Sequence, residues 1–544
     1  MSETRGAQVH IGGIVQGVGF RPFVYSLAKR YGLTGWVKNT SAGVELQVDG
    51  EHGAIEAFLQ ALRSETPPLA QIDTLRVEEC PPNGFSNFEI IHSQAIAAAF
   101  QPIPADIALC SDCQRELFDP ADRRYHYPFI NCTNCGPRFT IIRDLPYDRP
   151  LTSMSGFPLC PACAAEYADP LDRRFHAQPV ACPECGPQVW LEVRGPEGEF
   201  HTLERDQPAL EATQKFLREG KILAIKGLGG FHLACDAANP QAVAELRRRK
   251  LRVDKPFAVM LADLEMVERH CKLDKAGRKL LSSPSHPVVI LARRPGSSLA
   301  EAVSPAQHTL GVMLPYTPLH LLLFTRLGEV EPLAALVMTS GNLSEEPIVT
   351  DNEQARQGLA GLADAWLMHD RPIHIRCDDS VLRLNPDTDQ PYPLRRARGY
   401  APAPLRLPWE STPLLATGGE LKNTFCLTNQ DYAFLSHHIG DLENYETLSA
   451  FERGIEHYQR LFRVQPVALA YDLHPNYLAT RYALERAERE NLPSLGIQHH
   501  HAHIASLMAE HALPIDAQVI GVAFDGNGYG TDGAIWGGEF LVAG

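Results

Sequence analysis

The sequence predicts a multidomain protein of mixed α+β and α/β class with a duplicated four-cysteine metal module. Three observations support this prediction. The chain has 544 residues, enough for roughly three to five domains. Eight of its 13 cysteines form four Cys-x2-Cys pairs. Strand-like and helix-like periodicities alternate before and after these cysteines, which predicts sheets covered by helices.

The composition excludes several classes of protein. Fifty Lys and Arg residues against 65 Asp and Glu residues give a net charge of −15, which argues against a nucleic-acid-binding protein. The first ten residues lack the apolar stretch of a secretory signal. No run of about 18 apolar residues could span a membrane. We therefore expect a cytoplasmic protein whose cysteines are reduced.

Residues 1–92 predict a small α+β domain of ferredoxin-like βαββαβ order. Alternating apolar residues predict the strands, and apolar residues at helical spacing predict the helices. The predicted strands are residues 9–15, 35–40, 43–50 and 88–91, and the predicted helices are residues 22–32 and 54–65.

The loop after the first strand, VQGVGFR, predicts an anion site. Its glycines allow the backbone N–H groups to turn inward at a helix N-terminus, and Arg21 adds a bidentate donor for phosphate. The predicted phosphate cradle comprises Gln16, Gly17, Val18, Gly19 and Phe20.

This loop, followed by Asn39 in a strand, resembles the acylphosphatase signature. The resemblance implies that Arg21 holds an acyl phosphate and that Asn39 orients the attacking water, so both would be catalytic. A copy of the fold without activity is the alternative.

Residues 105–190 predict a tandem zinc-finger module. The segments 110–135 and 160–185 align without gaps at an offset of 50 residues, and each carries two Cys-x2-Cys pairs. Two such pairs can complete one tetrahedral zinc site, so we expect two structural zinc ions. Pairing within each repeat is the simplest connectivity; an arrangement swapped between repeats, or a disulfide framework, is the alternative. The predicted ligands are Cys110, Cys113, Cys132, Cys135, Cys160, Cys163, Cys182 and Cys185.

A polar linker at 195–207 is expected to precede an α/β domain over residues 205–400. Lys250, Arg252 and Lys255 concentrate positive charge in one loop, which suits a triphosphate. A later strand ends in Ser340 and Asn342. Together the segment Lys-x-Arg-x-x-Lys-Pro, which begins at Lys250, and the later segment Ser-Gly-Asn resemble the YrdC-type domain. The resemblance implies that the five residues bind ATP, with Mg, and a small carbamate-like acid, which is joined to AMP. Residues 374–379 and 395–400 are expected to close the same site.

Residues 401–544 predict a third unit. A strand–turn–strand segment at 414–428 suits phosphate binding. His499 and His503 are four residues apart, so on a helix they share one face and can bind one metal ion. His500 occupies the position of the glutamate in an HExxH motif, which argues against a zinc protease. A buried strand is expected at 519–525.

This layout resembles the actin-like ATPase fold of TsaD-type carbamoyl transferases. The resemblance implies that His499, His503 and Asp525 bind a further divalent metal, iron or zinc. The segment ends directly after a strand-like stretch, so we expect the natural protein to continue and this fold to be partial.

The four units, in this order, resemble the HypF family, the carbamoyltransferases of [NiFe]-hydrogenase maturation. The resemblance implies hydrolysis of carbamoyl phosphate, formation of carbamoyl adenylate with ATP, and transfer to the C-terminal cysteine of a HypE-type partner, as precursor of the cyanide ligands of iron. The zinc module would hold the domains in register without chemistry. The alternatives are a tRNA threonylcarbamoyl-type modifying enzyme and a zinc-dependent binding protein or chaperone.

Overall fold

The computed structural model describes residues 4–67, 69–94, 100–343 and 346–544. The chain forms two compact units. One contains the described residues up to 343 together with Ile348–Tyr400, and the other contains Ala401–Gly544. Within the described ranges, no helix has both the length and the apolar character needed to cross a membrane.

The first domain is a five-stranded sheet of order β4-β1-β3-β2-β5 with two amphipathic helices. Its elements are β1 (Thr4–Ile14), α1 (Phe20–Arg30), β2 (Thr34–Thr40), β3 (Gly43–Glu51), α2 (His52–Ser64), β4 (Gln71–Cys80) and β5 (Phe88–Ile90). The helices bury residues such as Val24, Leu27 and Phe58 against the sheet.

The strand predicted at residues 88–91 is present as β5, but it is not the strand that completes the ferredoxin-like order. β4 completes the ferredoxin-like order by pairing with β1, whereas β5 is an additional strand that pairs in parallel with β2 at the opposite edge. The sequence of β4 misled the prediction because most of its side chains are charged or polar and exposed. An edge strand with one wet face carries only a weak apolar pattern.

The cysteine-rich region consists of two short helices and ordered loops. α3 (Ser111–Leu117) and α4 (Pro161–Ala168) each begin directly after the first cysteine of a pair. Two 3-10 turns, Arg149–Leu151 and Ser153–Gly156, lie between the repeats. The repeats share their local conformation, since His126 and its counterpart His176 both have positive φ, 53° and 55°.

An 11-stranded sheet of order β16-β15-β11-β12-β10-β13-β9-β8-β14-β6-β7 dominates the first unit. Its strands are β6 (Val189–Arg194), β7 (Phe200–Arg205), β8 (Leu223–Lys226), β9 (Phe231–Asp236), β10 (Ala258–Leu261), β11 (Val288–Ala292), β12 (Thr309–Met313), β13 (Ala335–Ser340), β14 (Ala365–His369), β15 (Val381–Leu384) and β16 (Pro391–Arg395). Its helices are α5 (Asp206–Arg218), α6 (Pro240–Arg249), α7 (Leu264–His270), α8 (Lys275–Leu281), α9 (Pro318–Leu323) and α10 (Asn352–Gly358).

The predicted linker at 195–207 is also wrong. The segment contains the turn of an antiparallel hairpin and its second strand, β7, which pairs with the preceding β6, and β6 pairs with β14 of the large sheet. The exposed residues of β7 gave the segment its polar character, because β7 is the last strand of the sheet.

The second unit contains a five-stranded sheet of order β17-β19-β18-β20-β21 and a separate two-stranded hairpin. Its elements are β17 (Leu405–Ser411), β18 (Leu414–Ala416), β19 (Cys426–Leu435), α11 (Tyr445–Phe462), β20 (Ala468–Asp472), α12 (Leu478–Glu490), β21 (Ser494–Ile497), α13 (His499–Glu510), β22 (Val519–Tyr529) and β23 (Ile535–Ala543). The strand predicted at 519–525 is present as β22, but it is not buried. Ala523 packs near Ile504 of α13, whereas Ile520 and Phe524 are 78% and 81% exposed.

Candidate functional sites

The loop between β1 and α1 lines a cavity, here called the Arg21 cavity. Gly17 and Gly19 adopt positive φ angles of 69° and 74°, a conformation that glycine adopts without a steric cost. Of the predicted cradle residues, Gln16, Gly17, Gly19 and Phe20 line the cavity, whereas the side chain of Val18 is buried in the domain core.

Arg21 and Asn39 both line this cavity. Arg21 donates hydrogen bonds from Nη2 to Asp148 Oδ1 at 3.2 Å and from Nη1 to Ser93 Oγ at 3.3 Å, so two acceptors fix its guanidinium. Asn39 is 1% exposed, and neither of its amide atoms has a hydrogen-bond partner among the described residues. Because buried amides are normally paired, Asn39 is suited to bind a water or ligand in this cavity.

The cysteine-rich region forms the other wall of the Arg21 cavity. The Tyr147 backbone N–H donates to Gln16 Oε1 at 3.0 Å, and Arg138 Nε donates to the carbonyl of Gly17 at 2.6 Å. Both contacts hold the cradle loop from outside its own domain. Sequence reasoning missed them because the partners are more than a hundred residues apart.

The eight predicted cysteines form two clusters, one in each repeat, whose ligand atoms lie within 4.8 Å of one another. The Sγ–Sγ distances are 3.7 Å for Cys110–Cys132 and for Cys160–Cys182. A disulfide would need about 2.05 Å, whereas four thiolates at about 2.3 Å from one zinc ion lie ~3.8 Å apart. The donor set and its spacing therefore fit two tetrahedral zinc ions, one per repeat.

Arginines of each repeat contact the cysteine cluster of the other repeat. Arg123 donates to Glu166 Oε2 at 2.6 Å and to Cys163 Sγ at 3.2 Å, and Arg124 donates to the same carboxylate at 2.5 Å. Burial raises the pKa of Glu166, but the hydrogen bonds from Arg124 and Arg123 outweigh burial and lower it to about 2.

The reciprocal contacts involve the equivalent residues fifty positions away. Arg173 and Arg174 pair with Glu116, and Arg173 donates to Cys113 Sγ at 3.2 Å. Each repeat thus supplies two positive charges to the thiolates and the carboxylate of the other, and we call these contacts the reciprocal brace.

The five remaining cysteines lie outside the two clusters. Cys235, Cys271 and Cys377 are buried, whereas Cys80 and Cys426 are partly exposed.

The large sheet carries a second cavity, here called the Ser340 cavity. Arg252, Lys255 and Ser340 line it. Lys250 lies behind Ser340 and donates from Nζ to the Ser340 carbonyl at 2.7 Å and to Asn342 Oδ1 at 2.9 Å. The structure therefore brings the five residues predicted from the YrdC-type resemblance together at one end of β13.

The positive charges at this cavity are incompletely hydrated. Burial lowers the pKa of Lys250 to about 7, and the nearby Arg252 and Lys255 lower it further in the same direction. Burial also lowers the pKa of Arg252 to about 10. A bound polyanion stabilises the charged forms of such buried cations, because it replaces the hydration that they have lost.

The predicted closing segments also reach the Ser340 cavity, through Asp378, Asp379 and Arg395. Sequence reasoning missed His232, which lines the cavity and contacts Asp379 at 3.1 Å. Arg398 donates to the same carboxylate at 2.7 Å and so fixes it from the other side.

The second unit brings together the three predicted ligands of a further metal. The Nε2 atoms of His499 and His503 each lie 3.1 Å from Asp525 Oδ2. Asp472, which sequence reasoning missed, contacts His499 Nδ1 at 2.6 Å, so Nε2 is directed toward the cluster. The three donors fit one divalent ion.

His500 has a structural role. It is fully buried, and its Nε2 contacts the Asp525 carbonyl at 2.9 Å. The turn predicted for phosphate binding approaches the same cluster, since a Cβ at Gly419 would lie 3.7 Å from His499 Cε1. The turn therefore lies beside the predicted metal ligands.

Four family models match the chain in succession. They are described as acylphosphatase (residues 7–90), HypF finger (109–142 and 159–192), telomere recombination (215–397) and HypF Kae1-like domain (410–510).

Individual relatives match nearly the whole chain. Carbamoyltransferase HypF2 of Cupriavidus necator is 48% identical over 554 residues, covering 98% of this chain and 67% of that protein. The probable carbamoyltransferase HypF of Methanocaldococcus jannaschii is 44% identical, covering 98% and 68%. A crystal structure of full-length HypF in the phosphate- and nucleotide-bound form superposes with a TM-score of 0.93 at 49% identity, covering 100% of this chain and 69% of that one.

The fold and its sites thus define a multidomain carbamoyltransferase with an acylphosphatase domain and two four-cysteine clusters. The chain belongs to the HypF family. The resemblance and the fold class predicted from the sequence are both confirmed.

Proposed function

We propose that this protein converts carbamoyl phosphate and ATP into an activated carbamoyl group for [NiFe]-hydrogenase maturation. The observation that carries the proposal is the Arg21 cavity, where the glycine-containing cradle loop, a fixed guanidinium and an unpaired buried amide line one space. The cradle and Arg21 bind the phosphoryl oxygens, and Asn39 holds the attacking water. Hydrolysis there yields carbamate and phosphate.

The Ser340 cavity then joins carbamate to AMP. Arg252 and Lys255 line it and Lys250 supports its wall, so the three cations stabilise the triphosphate of ATP, and Mg would assist at the phosphates. The product is carbamoyl adenylate, with pyrophosphate as the leaving group.

A third cavity supports internal transfer of carbamate between these two sites. Pro137 lines this third cavity and is next in sequence to Arg138, which lines the Arg21 cavity. Tyr316 also lines the third cavity, and the centre of its ring lies 3.4 Å from the guanidinium carbon of Arg398. Arg398 in turn contacts Asp379 of the Ser340 cavity. Enclosure would protect carbamate, which is unstable in water.

The two cysteine clusters each hold a structural zinc ion, since four thiolates leave no open coordination position. The His499–His503–Asp525 cluster holds a divalent metal in the unit that transfers the carbamoyl group. The acceptor is a HypE-type protein whose C-terminal cysteine thiol receives the group, as precursor of the iron cyanide ligands.

The proposal is tested by incubating the protein with ATP and Mg, with and without carbamoyl phosphate. We expect AMP and pyrophosphate to form at a rate that depends on carbamoyl phosphate, as measured by chromatography of the nucleotides. Carbamoyl-phosphate-independent AMP formation, or none, would contradict the relay. AMP formation driven by threonine and bicarbonate would instead favour a tRNA-modifying enzyme.

The pKa of Lys250 predicts a pH dependence for ATP binding. Because burial lowers this pKa to about 7, the side chain is mostly a neutral amine at pH 8 in the free protein, and bound phosphates favour its protonation to the ammonium form. We expect ATP binding at pH 8 to take up close to one proton, and the affinity to fall as the pH rises from 6 to 8. Calorimetry in buffers of different ionisation enthalpy measures this uptake.

The matched control is Lys250→Met, which removes the titrating group. The variant should bind ATP more weakly and with little proton uptake. Uptake that persists unchanged in the variant would assign the proton to another group.

A further inference from the structure

The wall of the Arg21 cavity that faces the cradle belongs to the cysteine-rich module. Thr133, Arg138, Tyr147 and His176 all line the space that also contains Arg21. The acylphosphatase-like domain therefore does not enclose its own site, and any ligand on the cradle meets side chains of the zinc module.

His176 is held firmly in this wall. Its backbone N–H donates to the carbonyl of Tyr167 at 3.1 Å, and its own carbonyl accepts a hydrogen bond from Gln178 Nε2 at 2.9 Å. Its ring packs edge-on against Phe175, with ring centroids 4.6 Å apart. The backbone at His176 has a φ of 55°, so the local fold and not the rotamer alone sets where the ring points.

The ring of His176 has unused hydrogen-bonding capacity. Its Nδ1 is buried and has no partner among the described residues. Burial, and then the charge of Arg21, lower its pKa to about 4, so the imidazole is neutral at pH 7 and one ring nitrogen is an acceptor. Asp148, His92 and Tyr167 are further charged or titratable groups near the ring, and the Tyr167 ring centroid lies 5.0 Å away.

These observations indicate that the phosphoryl end and the acyl end of the ligand contact different groups. The cradle and Arg21 are cationic or N–H donors and suit the phosphoryl oxygens, whereas the neutral acceptor on His176 does not. An acceptor in this position suits an N–H group at the acyl end of the ligand. The amino group of carbamoyl phosphate provides such a donor, and the methyl group of acetyl phosphate does not.

We propose that the zinc module completes the acyl phosphate site, and that His176 Nδ1 accepts a hydrogen bond from the carbamoyl amino group. The residue thereby makes the site selective for carbamoyl phosphate over acetyl phosphate. This inference rests on the proposed function of the Arg21 cavity. An acetyl group would leave the buried acceptor unpaired, which disfavours that substrate by roughly tenfold to a hundredfold in kcat/KM.

The test compares phosphate release from the two substrates by the whole chain and by His176→Phe. We expect the wild-type protein to prefer carbamoyl phosphate, and the ratio of the two kcat/KM values to fall about tenfold or more in the variant. His176→Asn is the second variant, because asparagine tolerates positive φ and excludes backbone strain as the cause. Zinc content and circular dichroism confirm that each variant is folded.

The duplicated module offers a matched control. His126 has the same backbone conformation in the first repeat but contacts Gln207 outside the cavity, so His126→Phe should leave the ratio unchanged. Hydrolysis of both substrates with an unchanged ratio in the two His176 variants would overturn the inference alone. Hydrolysis of neither substrate by the wild-type protein would overturn the proposed function of this cavity, and the inference with it.

Discussion

Replacing Arg21 with alanine is expected to lower phosphate release from carbamoyl phosphate by about 100-fold to 1,000-fold in kcat/KM. Arg21 is 7% exposed and its guanidinium is oriented by Asp148 and Ser93, so its charge acts on the phosphoryl group without rearrangement. Removing one preorganised charged donor from such a site costs about 3–4 kcal/mol of transition-state stabilisation. A phosphate-release assay on the two proteins measures the effect.

The control is Arg30→Ala, in the same helix. Arg30 pairs with Glu65 on the surface, and both side chains are about half exposed, so its removal should leave the rate unchanged. Arg21→Lys should restore only part of the rate, because an ammonium cannot bind two phosphoryl oxygens in the bidentate geometry. Release at the wild-type rate in Arg21→Ala would exclude the cavity as the site of hydrolysis.

Replacing Glu166 with glutamine is expected to destabilise the first unit by about 3 kcal/mol and to accelerate zinc release. The carboxylate lies against two arginines, and Arg124 is 1% exposed. The neutral amide would leave a buried guanidinium without its counter-charge, which is more costly than losing a surface ion pair. Urea denaturation and the rate of zinc transfer to a chromogenic chelator measure the two effects.

The duplicated sequence again supplies the comparisons. Glu116→Gln removes the equivalent carboxylate of the other repeat and should have a similar effect. Asp112→Asn removes an ion pair with Arg115 that is largely exposed, and it should cost less than about 1 kcal/mol. If Glu166→Gln behaves like Asp112→Asn, the reciprocal brace does not stabilise the module.

Sequence reasoning succeeded where neighbouring residues determine the geometry. The glycines and Arg21 lie in one loop, the paired cysteines are three residues apart, and His499 and His503 are one helical turn apart, so spacing alone predicted these groupings. The resemblance to known families then assigned residues that are far apart in the sequence to the same site, which spacing alone could not do.

Residues brought together by the tertiary fold could not be predicted in this way. Asp148 reaches Arg21 across 127 residues, and Asp379 reaches His232 across 147. Neither carboxylate belongs to a local pattern that points to its partner. Polarity misled the prediction at β4 and β7 for a related reason, since exposed edge strands resemble loops when only their composition is considered.

The reciprocal brace has the symmetry of an isologous contact between identical subunits. The arginine pair of the first repeat contacts Glu166, the arginine pair of the second repeat contacts Glu116, and these two glutamates occupy equivalent positions. One repeat by itself would present two cations and one anion complementary to a second copy of the same segment. The tandem arrangement therefore has the contact symmetry of a homodimer within one polypeptide. Covalent linkage makes the association of the two halves independent of protein concentration.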